Sequence, residues 1–144
     1  MAGGAVAAGG FGEVNYLGLE DDAVLPAFGA WLEGRDRTKP FMAGLFTVTM
    51  HAPYTTPPGF VPADRPGGAR LKPSERAYIA AVEYTDRFLG KLYAALETAG
   101  VADSTLLVIA GDHGELFGEH GGWQHGASVH EEAVRVPLLL VGPD

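Results

Sequence analysis

The sequence predicts an α/β fold, with a mostly parallel sheet flanked by helices. Three segments, at residues 41–49, 105–110 and 136–141, have the continuous apolar character of strands that are buried on both faces. A long amphipathic helix separates the first two segments. Because a strand, a helix and a strand joined by short links favour a right-handed crossover between parallel neighbours, we expect these segments to share one parallel sheet.

A first helix is expected before the earliest of these strands. Apolar residues recur there at helical spacing, and they are Val24, Leu25, Phe28, Trp31 and Leu32. Asp21 or Asp22 is placed to cap this helix, and Pro26 fits its first turn, where backbone amides lack helical partners. Residues 20–22 are therefore interpreted as a solvated helix start.

A proline-rich loop and a second helix follow the first strand. Six prolines fall within residues 53–73, which excludes regular structure and predicts an ordered surface loop. The helix begins at Ser74, and Gly100 lies where a C′ glycine would end it. Its apolar stripe, which we expect to be core, consists of Tyr78, Val82, Thr85, Leu89, Leu92, Leu96 and Ala99.

The amino-acid composition excludes cysteine-based sites and argues against a nucleic-acid-binding protein. The 144 residues include 10 Lys and Arg against 18 Asp and Glu, which gives a formal charge of −8, and no cysteine. Without cysteine, these residues contain no disulfide, thiolate metal site or cysteine nucleophile. The acidic balance and the absence of any basic run argue against nucleic-acid binding.

The amino-terminal residues do not match the pattern of a signal peptide. They lack the charged and apolar regions of a signal peptide, and no apolar run in the chain is long enough to span a membrane, so the compartment stays open. Glycine and alanine dominate the start and predict a flexible segment over residues 1–15. We expect the folded domain to occupy residues 16–144.

Polar residues collect where two of the predicted strands end. His51 follows the first strand, and Asp112 and His113 follow the second. Because parallel sheets bind ligands at the carboxyl ends of their strands, we expect these side chains to face one crevice. A carboxylate oxygen and an imidazole nitrogen suit Ca²⁺, Mn²⁺ or Zn²⁺, although two ligands are only half a site. In the alternative interpretation, Asp112 caps a turn and His113 bonds the loop backbone.

Three further histidines follow within a glycine-rich segment. His120, His125 and His130 are five residues apart, or about 140° around a helix, so they do not share one helical face. The chain has no His-Glu-x-x-His motif, which excludes a zincin. It also has neither a Gly-x-Ser-x-Gly elbow nor a phosphate-binding P-loop. For each of these histidines, a structural and a functional role stay open.

Six segments of the chain share their order and spacing with a known family. They are Pro40-Phe41, His51-Ala52-Pro53-Tyr54, the helix over residues 78–90 with Asp86, residues 105–115, Gly118-Glu119-His120-Gly121-Gly122-Trp123 and Arg135-Val136-Pro137-Leu138. Taken together, these segments resemble the sulfatases, which belong to the alkaline phosphatase-like superfamily. The resemblance runs over most of residues 16–143, and the ordered set is far more specific than any one motif.

The resemblance implies hydrolysis of sulfate monoesters at a divalent cation, most often Ca²⁺. Asp112 and His113 match the family's second pair of metal ligands, and His51 matches a histidine that contacts the ester group. His125 occupies the position of a lysine that contacts the sulfate. Histidine titrates near neutrality whereas lysine stays charged, so this anion donor would weaken as pH rises. The implied substrate is a sulfate-ester small molecule or a glycan.

The chain departs from the family in one respect. Sulfatases carry their first metal-binding aspartates and a formylglycine nucleophile in an amino-terminal half, the nucleophile within a Cys/Ser-x-Pro/Ala-x-Arg segment. These 144 residues contain no such segment. We therefore expect an incomplete catalytic domain that needs this half and is inactive alone. Two alternatives remain: a phosphoesterase or phosphoethanolamine-type transferase of the same superfamily, and a noncatalytic metal-binding remnant.

Overall fold

The computed structural model describes residues 10–64 and 67–143 and has two compact units, Met1–Ala99 and Gly100–Asp144. In the first unit, strand β1 (Glu13–Asn15) pairs antiparallel with strand β2 (Gly18–Leu19). A short 3-10 turn then leads into helix α1 (Val24–Gly34), which packs against helix α2 (Pro73–Thr98). The predicted flexible start over residues 1–15 lies mostly outside the described residues.

The second unit contains two small antiparallel sheets. Strand β3 (Leu107–Ala110) pairs with strand β6 (Leu138–Val141). Strand β4 (Leu116–Phe117) pairs with strand β5 (Trp123–Gln124). The four-residue helix α3 (Glu131–Val134) precedes β6.

The predicted parallel sheet is not confirmed. All three sheets within residues 10–64 and 67–143 are two-stranded and antiparallel. The predicted strands at 105–110 and 136–141 form, but they are shorter, and Leu107 lies opposite Val141. Parallel neighbours need a crossover, usually a helix. Between β3 and β6 the chain instead forms the β4–β5 pair and one short helix, and it returns in the opposite direction.

The predicted strand at residues 41–49 is wrong for the described chain. Residues 40–48 are not assigned to any helix or strand. Two of their large apolar side chains are open to solvent, since Met42 is 95% exposed and Phe46 is 90% exposed. A strand exists only through hydrogen bonds to a neighbour. No described segment provides that neighbour, so apolar character alone did not produce a strand.

Both long helices predicted from periodicity are present. α2 ends at Thr98, and Gly100 adopts φ +68°, the left-handed conformation that favours a C′ glycine. The predicted apolar stripe of α2 is partly rotated, because Val82 is 40% exposed whereas Phe88 is buried. Within the described part of the chain, no helix is both long enough and apolar enough to cross a membrane.

Residues 20–22 are not the solvated helix start that the sequence suggested. The Asp21 side chain caps no helix; it lies 2% exposed and accepts hydrogen bonds from the backbone amides of Val48 (2.7 Å) and Thr49 (3.1 Å). The Thr85 hydroxyl of α2 lies 3.4 Å from its second carboxylate oxygen. A buried carboxylate is stable only with such donors. Asp21 therefore connects α2 to the chain that leads into His51.

The proline-rich loop packs on α2 through its described residues, and it is not wholly irregular, because it contains a 3-10 turn at Gly68–Arg70. The Phe60 ring meets the Tyr84 ring edge-on at 5.4 Å, and the Arg87 guanidinium lies 4.5 Å from the Phe60 centroid. The Glu83 carboxylate accepts the Ala63 amide at 3.0 and 3.1 Å. Three residues within little more than one turn of α2 thus hold the loop that follows His51.

The buried Tyr84 hydroxyl is expected to make the folded chain less stable at alkaline pH. Its hydroxyl donates to Glu20 Oε2 at 2.8 Å, and burial, followed by this hydrogen bond, raises the pKa of Tyr84 well above its ordinary value. Above about pH 10 the unfolded chain therefore loses a proton that the folded chain keeps. We expect the free energy of unfolding, measured in urea, to fall by up to about 1.4 kcal/mol per pH unit from this group.

Tyr84→Phe should show a shallower alkaline fall than the unmodified chain. Tyr93→Phe is the matched control, because Tyr93 is on the same helix and 37% exposed. Equal slopes for the unmodified chain and Tyr84→Phe above about pH 10 would contradict the assignment.

Candidate functional site

His51 lies in a tight turn in the first unit. Its backbone amide donates to the Val48 carbonyl at 3.0 Å, and its carbonyl accepts the Tyr54 amide at 2.9 Å. The ring nitrogen Nδ1 lies 2.9 Å from the Ala52 carbonyl oxygen. A carbonyl oxygen only accepts, so Nδ1 carries the hydrogen. The other nitrogen, Nε2, lies 3.3 Å from the Tyr16 hydroxyl.

Asp112 and His113 directly follow β3 in the second unit, as the sequence predicted. The Asp112 side chain is 89% exposed, and its Oδ1 accepts the His113 amide at 3.0 Å. His113 Nδ1 lies 2.8 Å from the Gly114 carbonyl oxygen, and it is therefore the protonated nitrogen. His113 Nε2 then lies 3.7 Å from Asp112 Oδ2.

These two side chains have the chemistry of a partial cation site. Donors about 2.0–2.6 Å from one ion lie about 3–4 Å apart, which includes the observed separation. A metal-binding histidine usually donates its other ring hydrogen to a carbonyl or carboxylate, as His113 does to Gly114. No group of three or more potential ligands is found in residues 10–64 and 67–143. The residues present thus fit two ligands of a cation and no more.

His125 lies beside His113. The two rings are stacked, with centroids 3.6 Å apart and planes inclined by 27°. His125 Nδ1 lies 3.2 Å from Glu115 Oε1, and the Glu115 side chain is only 6% exposed. The carboxylate orients the imidazole, and the two form an ion pair when His125 is protonated. The structure therefore brings together Asp112, His113 and His125, with Glu115 as a fourth member.

His120 and His130 form a second stacked pair of imidazole rings. The rings of His120 and His130 are 3.8 Å apart and inclined by 18°. His120 Nε2 lies 3.4 Å from Glu132 Oε2. His120 has a left-handed backbone conformation, with φ +53°. These contacts give His120 structural partners and leave its functional role unassigned.

The sequence did not single out Glu115 as a partner of His125 or Tyr16 as a partner of His51. Glu115 lies two positions after His113 in the same loop, so its proximity was a usable signal. Tyr16 is 35 residues from His51, and no periodicity or motif joins them. The expectation that His51 and Asp112 share a crevice stays a prediction.

Comparison with known proteins identifies the family. The sulfatase family model matches residues 10–144. Human iduronate 2-sulfatase is 31% identical over 117 residues, which are 81% of this chain and 18% of that protein. The choline-sulfatase of Rhizobium meliloti is 37% identical over 73 residues, or 51% of this chain and 14% of that protein. The N-acetylglucosamine-6-O-sulfatase of Bacteroides thetaiotaomicron is 38% identical over 68 residues, or 47% of this chain and 12% of that protein.

The chain belongs to the sulfatase family, and hence to the alkaline phosphatase-like superfamily with its α/β fold. The matched stretches span less than a fifth of the length of these three relatives. The family hydrolyses sulfate esters and generally uses a divalent cation.

Proposed function

We propose that this chain supplies part of the site of a sulfatase, and that it binds a divalent cation through Asp112 and His113. The observation that carries the proposal is the orientation of His113. Its Nδ1 hydrogen is engaged by the Gly114 carbonyl, and its Nε2 lies 3.7 Å from an oxygen of Asp112. Ca²⁺ is the ion that we propose, with Mn²⁺ or Zn²⁺ as alternatives.

The neighbouring residues support a role in binding an anionic ester. Glu115 holds His125 through Nδ1, and His125 stacks on His113. A protonated His125 is a hydrogen-bond donor of the kind that stabilises a sulfate oxygen. A bound divalent cation would polarise an ester oxygen and stabilise negative charge. His51 is also proposed as a residue that contacts a sulfate ester.

The substrate that we propose is a sulfate monoester. The three relatives are named for esters of choline, iduronate and N-acetylglucosamine, so a sulfate monoester is what they share. A small molecule and a glycan both fall within this class.

We further propose that the chain is part of a larger catalytic domain and is inactive alone. Exposed apolar side chains support this proposal. In β6, Leu138 is 65% exposed and Leu139 is 49% exposed, although neighbouring positions of a strand face opposite sides. Met42 and Phe46 are more exposed still. Contiguous exposed apolar residues usually mark a surface that another part of a protein covers.

Cation binding tests the proposal directly. Added Mn²⁺ should broaden the NMR signals of Asp112 and His113 in the 144-residue chain, because a paramagnetic ion relaxes nearby nuclei. Asp112→Ala removes one of two ligands and should weaken the apparent affinity at least about tenfold. Glu131→Ala is the matched control, because the Glu131 side chain is 74% exposed and lies outside the proposed site.

Equal Mn²⁺ affinity in the unmodified chain and Asp112→Ala would overturn the proposed ligands. We also expect no turnover of an aryl sulfate by the chain alone. Turnover that Asp112→Ala abolishes would overturn the proposed inactivity. If the complete catalytic domain hydrolysed an aryl phosphate faster than an aryl sulfate, that result would favour the phosphoesterase alternative.

A further inference from the structure

Tyr16 is an exposed residue whose hydroxyl lies beside Nε2 of His51. Its Oη lies 3.3 Å from His51 Nε2, and the two rings meet edge-on at 90° with centroids 5.2 Å apart. Tyr16 is 81% exposed, so this edge of the pair is open to a ligand. An exposed aromatic side chain normally has several rotamers, and its contact with one ring atom needs a local explanation.

Asn15 supplies that explanation. Its side-chain nitrogen donates to the Val48 carbonyl at 2.5 Å, and its side-chain oxygen accepts the Leu17 amide at 2.9 Å. One side chain thus ties the turn that carries Tyr16 to the turn that carries His51. The Val48 carbonyl also accepts the His51 amide, so both turns meet at a single peptide group.

The hydrogen-bond directions at His51 define what Tyr16 does. Since His51 Nδ1 donates to the Ala52 carbonyl, neutral His51 has a lone pair at Nε2, and the Tyr16 hydroxyl donates to it. When His51 is protonated, Nε2 becomes a donor, and the Tyr16 oxygen accepts from it. The phenolic hydrogen is then released and can donate to a ligand.

We propose that Tyr16 and His51 form a two-residue subsite for a sulfate-ester oxygen, in which the Tyr16 hydroxyl is a further donor to the anion. The inference rests on the proposed sulfatase function and extends it to a residue outside the motifs. In the protonated pair, His51 Nε2–H donates to the Tyr16 oxygen, and this hydrogen bond strengthens the Tyr16 O–H as a donor to the anion. The terminal oxygens of a sulfate monoester are anionic and only accept hydrogen bonds, which matches the donor that the Tyr16 O–H provides beside a protonated imidazole.

The test is binding of inorganic sulfate to the 144-residue chain, followed by NMR at about pH 6, where imidazole is largely protonated. The ring signals of His51 and Tyr16 should move together with one dissociation constant. Tyr16→Phe keeps the ring and removes only the hydroxyl, and it should weaken this constant about two- to tenfold. Asn15→Ala, which releases Tyr16 from its turn, should weaken it in the same direction.

Tyr93→Phe is the matched control, and chloride at equal ionic strength separates specific binding from screening. An unchanged or tighter sulfate constant in Tyr16→Phe would overturn the Tyr16 inference and leave the proposed role of His51 intact. If sulfate moves neither ring in the unmodified chain, the proposed role of His51 fails, and the Tyr16 subsite fails with it. Because Tyr16 is exposed, loss of folding is not expected in Tyr16→Phe.

Discussion

Asp21→Ala is expected to lower the free energy of unfolding by about 3–5 kcal/mol. The substitution leaves the amides of Val48 and Thr49 without their acceptor in an environment where Thr49 is fully buried. It also removes the partner of the Thr85 hydroxyl. Each buried donor left without a partner costs about 1–3 kcal/mol, and hydrogen bonds to a charged acceptor are the stronger class. Urea unfolding followed by circular dichroism measures the change.

Asp22→Ala is the matched control for that measurement. Asp22 is the adjacent residue of the same type, and its carboxylate pairs with Lys91, whose side chain is 55% exposed. The Asp22 side chain is 17% exposed, but its removal leaves no buried backbone amide of the described residues without an acceptor, so Asp22→Ala should cost less than Asp21→Ala. Similar losses in Asp21→Ala and Asp22→Ala would show that the Asp21 network does not hold the chain before His51. Asp21→Asn, which keeps one acceptor oxygen, should recover part of the loss.

Gly114→Ala is expected to destabilise the second unit by about 2–4 kcal/mol. A Cβ at this position would lie 2.0 Å from the Glu132 carbonyl oxygen, and the Gly114 amide donates to the Ala133 carbonyl at 2.8 Å. Both neighbours are backbone atoms, so no side chain can rotate away to make room. The chain must move, and Gly114 also provides the carbonyl that orients His113.

The readout for Gly114→Ala is the set of amide and ring signals of residues 112–116 in NMR spectra, together with the urea midpoint. Gly90→Ala serves for comparison. Gly90 lies within α2 and has open space around its Cα, so alanine should stabilise the helix by about 0.5–1 kcal/mol. An equally harmless Gly114→Ala would mean that α3 does not approach the Asp112–His113 loop as closely as described.

The features predicted correctly are those that a local pattern determines. α2 follows from its apolar repeat and from the glycine at position 100, which are properties of a single continuous segment. The antiparallel direction of β6 relative to β3, by contrast, is not determined by a local pattern. It depends on which residues become partners across 28 to 34 positions of sequence, and an apolar run does not contain that information. The same reason explains why residues 41–49 did not form a strand.

The same distinction between local patterns and long-range contacts applies to the candidate site and to the chain that leads into His51. Asp112 and His113 are adjacent and follow a strand, so their position could be inferred before any coordinates were known. Asp21 was interpreted as solvated because acidic residues usually are. Its burial depends on two amides 27 and 28 residues away, which supply the donors that a buried carboxylate needs. Contacts of this type have no signature in a single sequence.

The contacts between α2 and the proline-rich loop should couple the local opening of these two segments. Glu83, Tyr84 and Arg87 lie within five residues of one helix, and they contact the loop at Phe60 and Ala63. The loop detaches only when these contacts break together. The backbone amides of the loop and of the middle of α2 should therefore show similar opening free energies in hydrogen exchange. The loop after His51 and the centre of α2 therefore form one cooperative opening unit, although they are separated by about twenty residues of sequence.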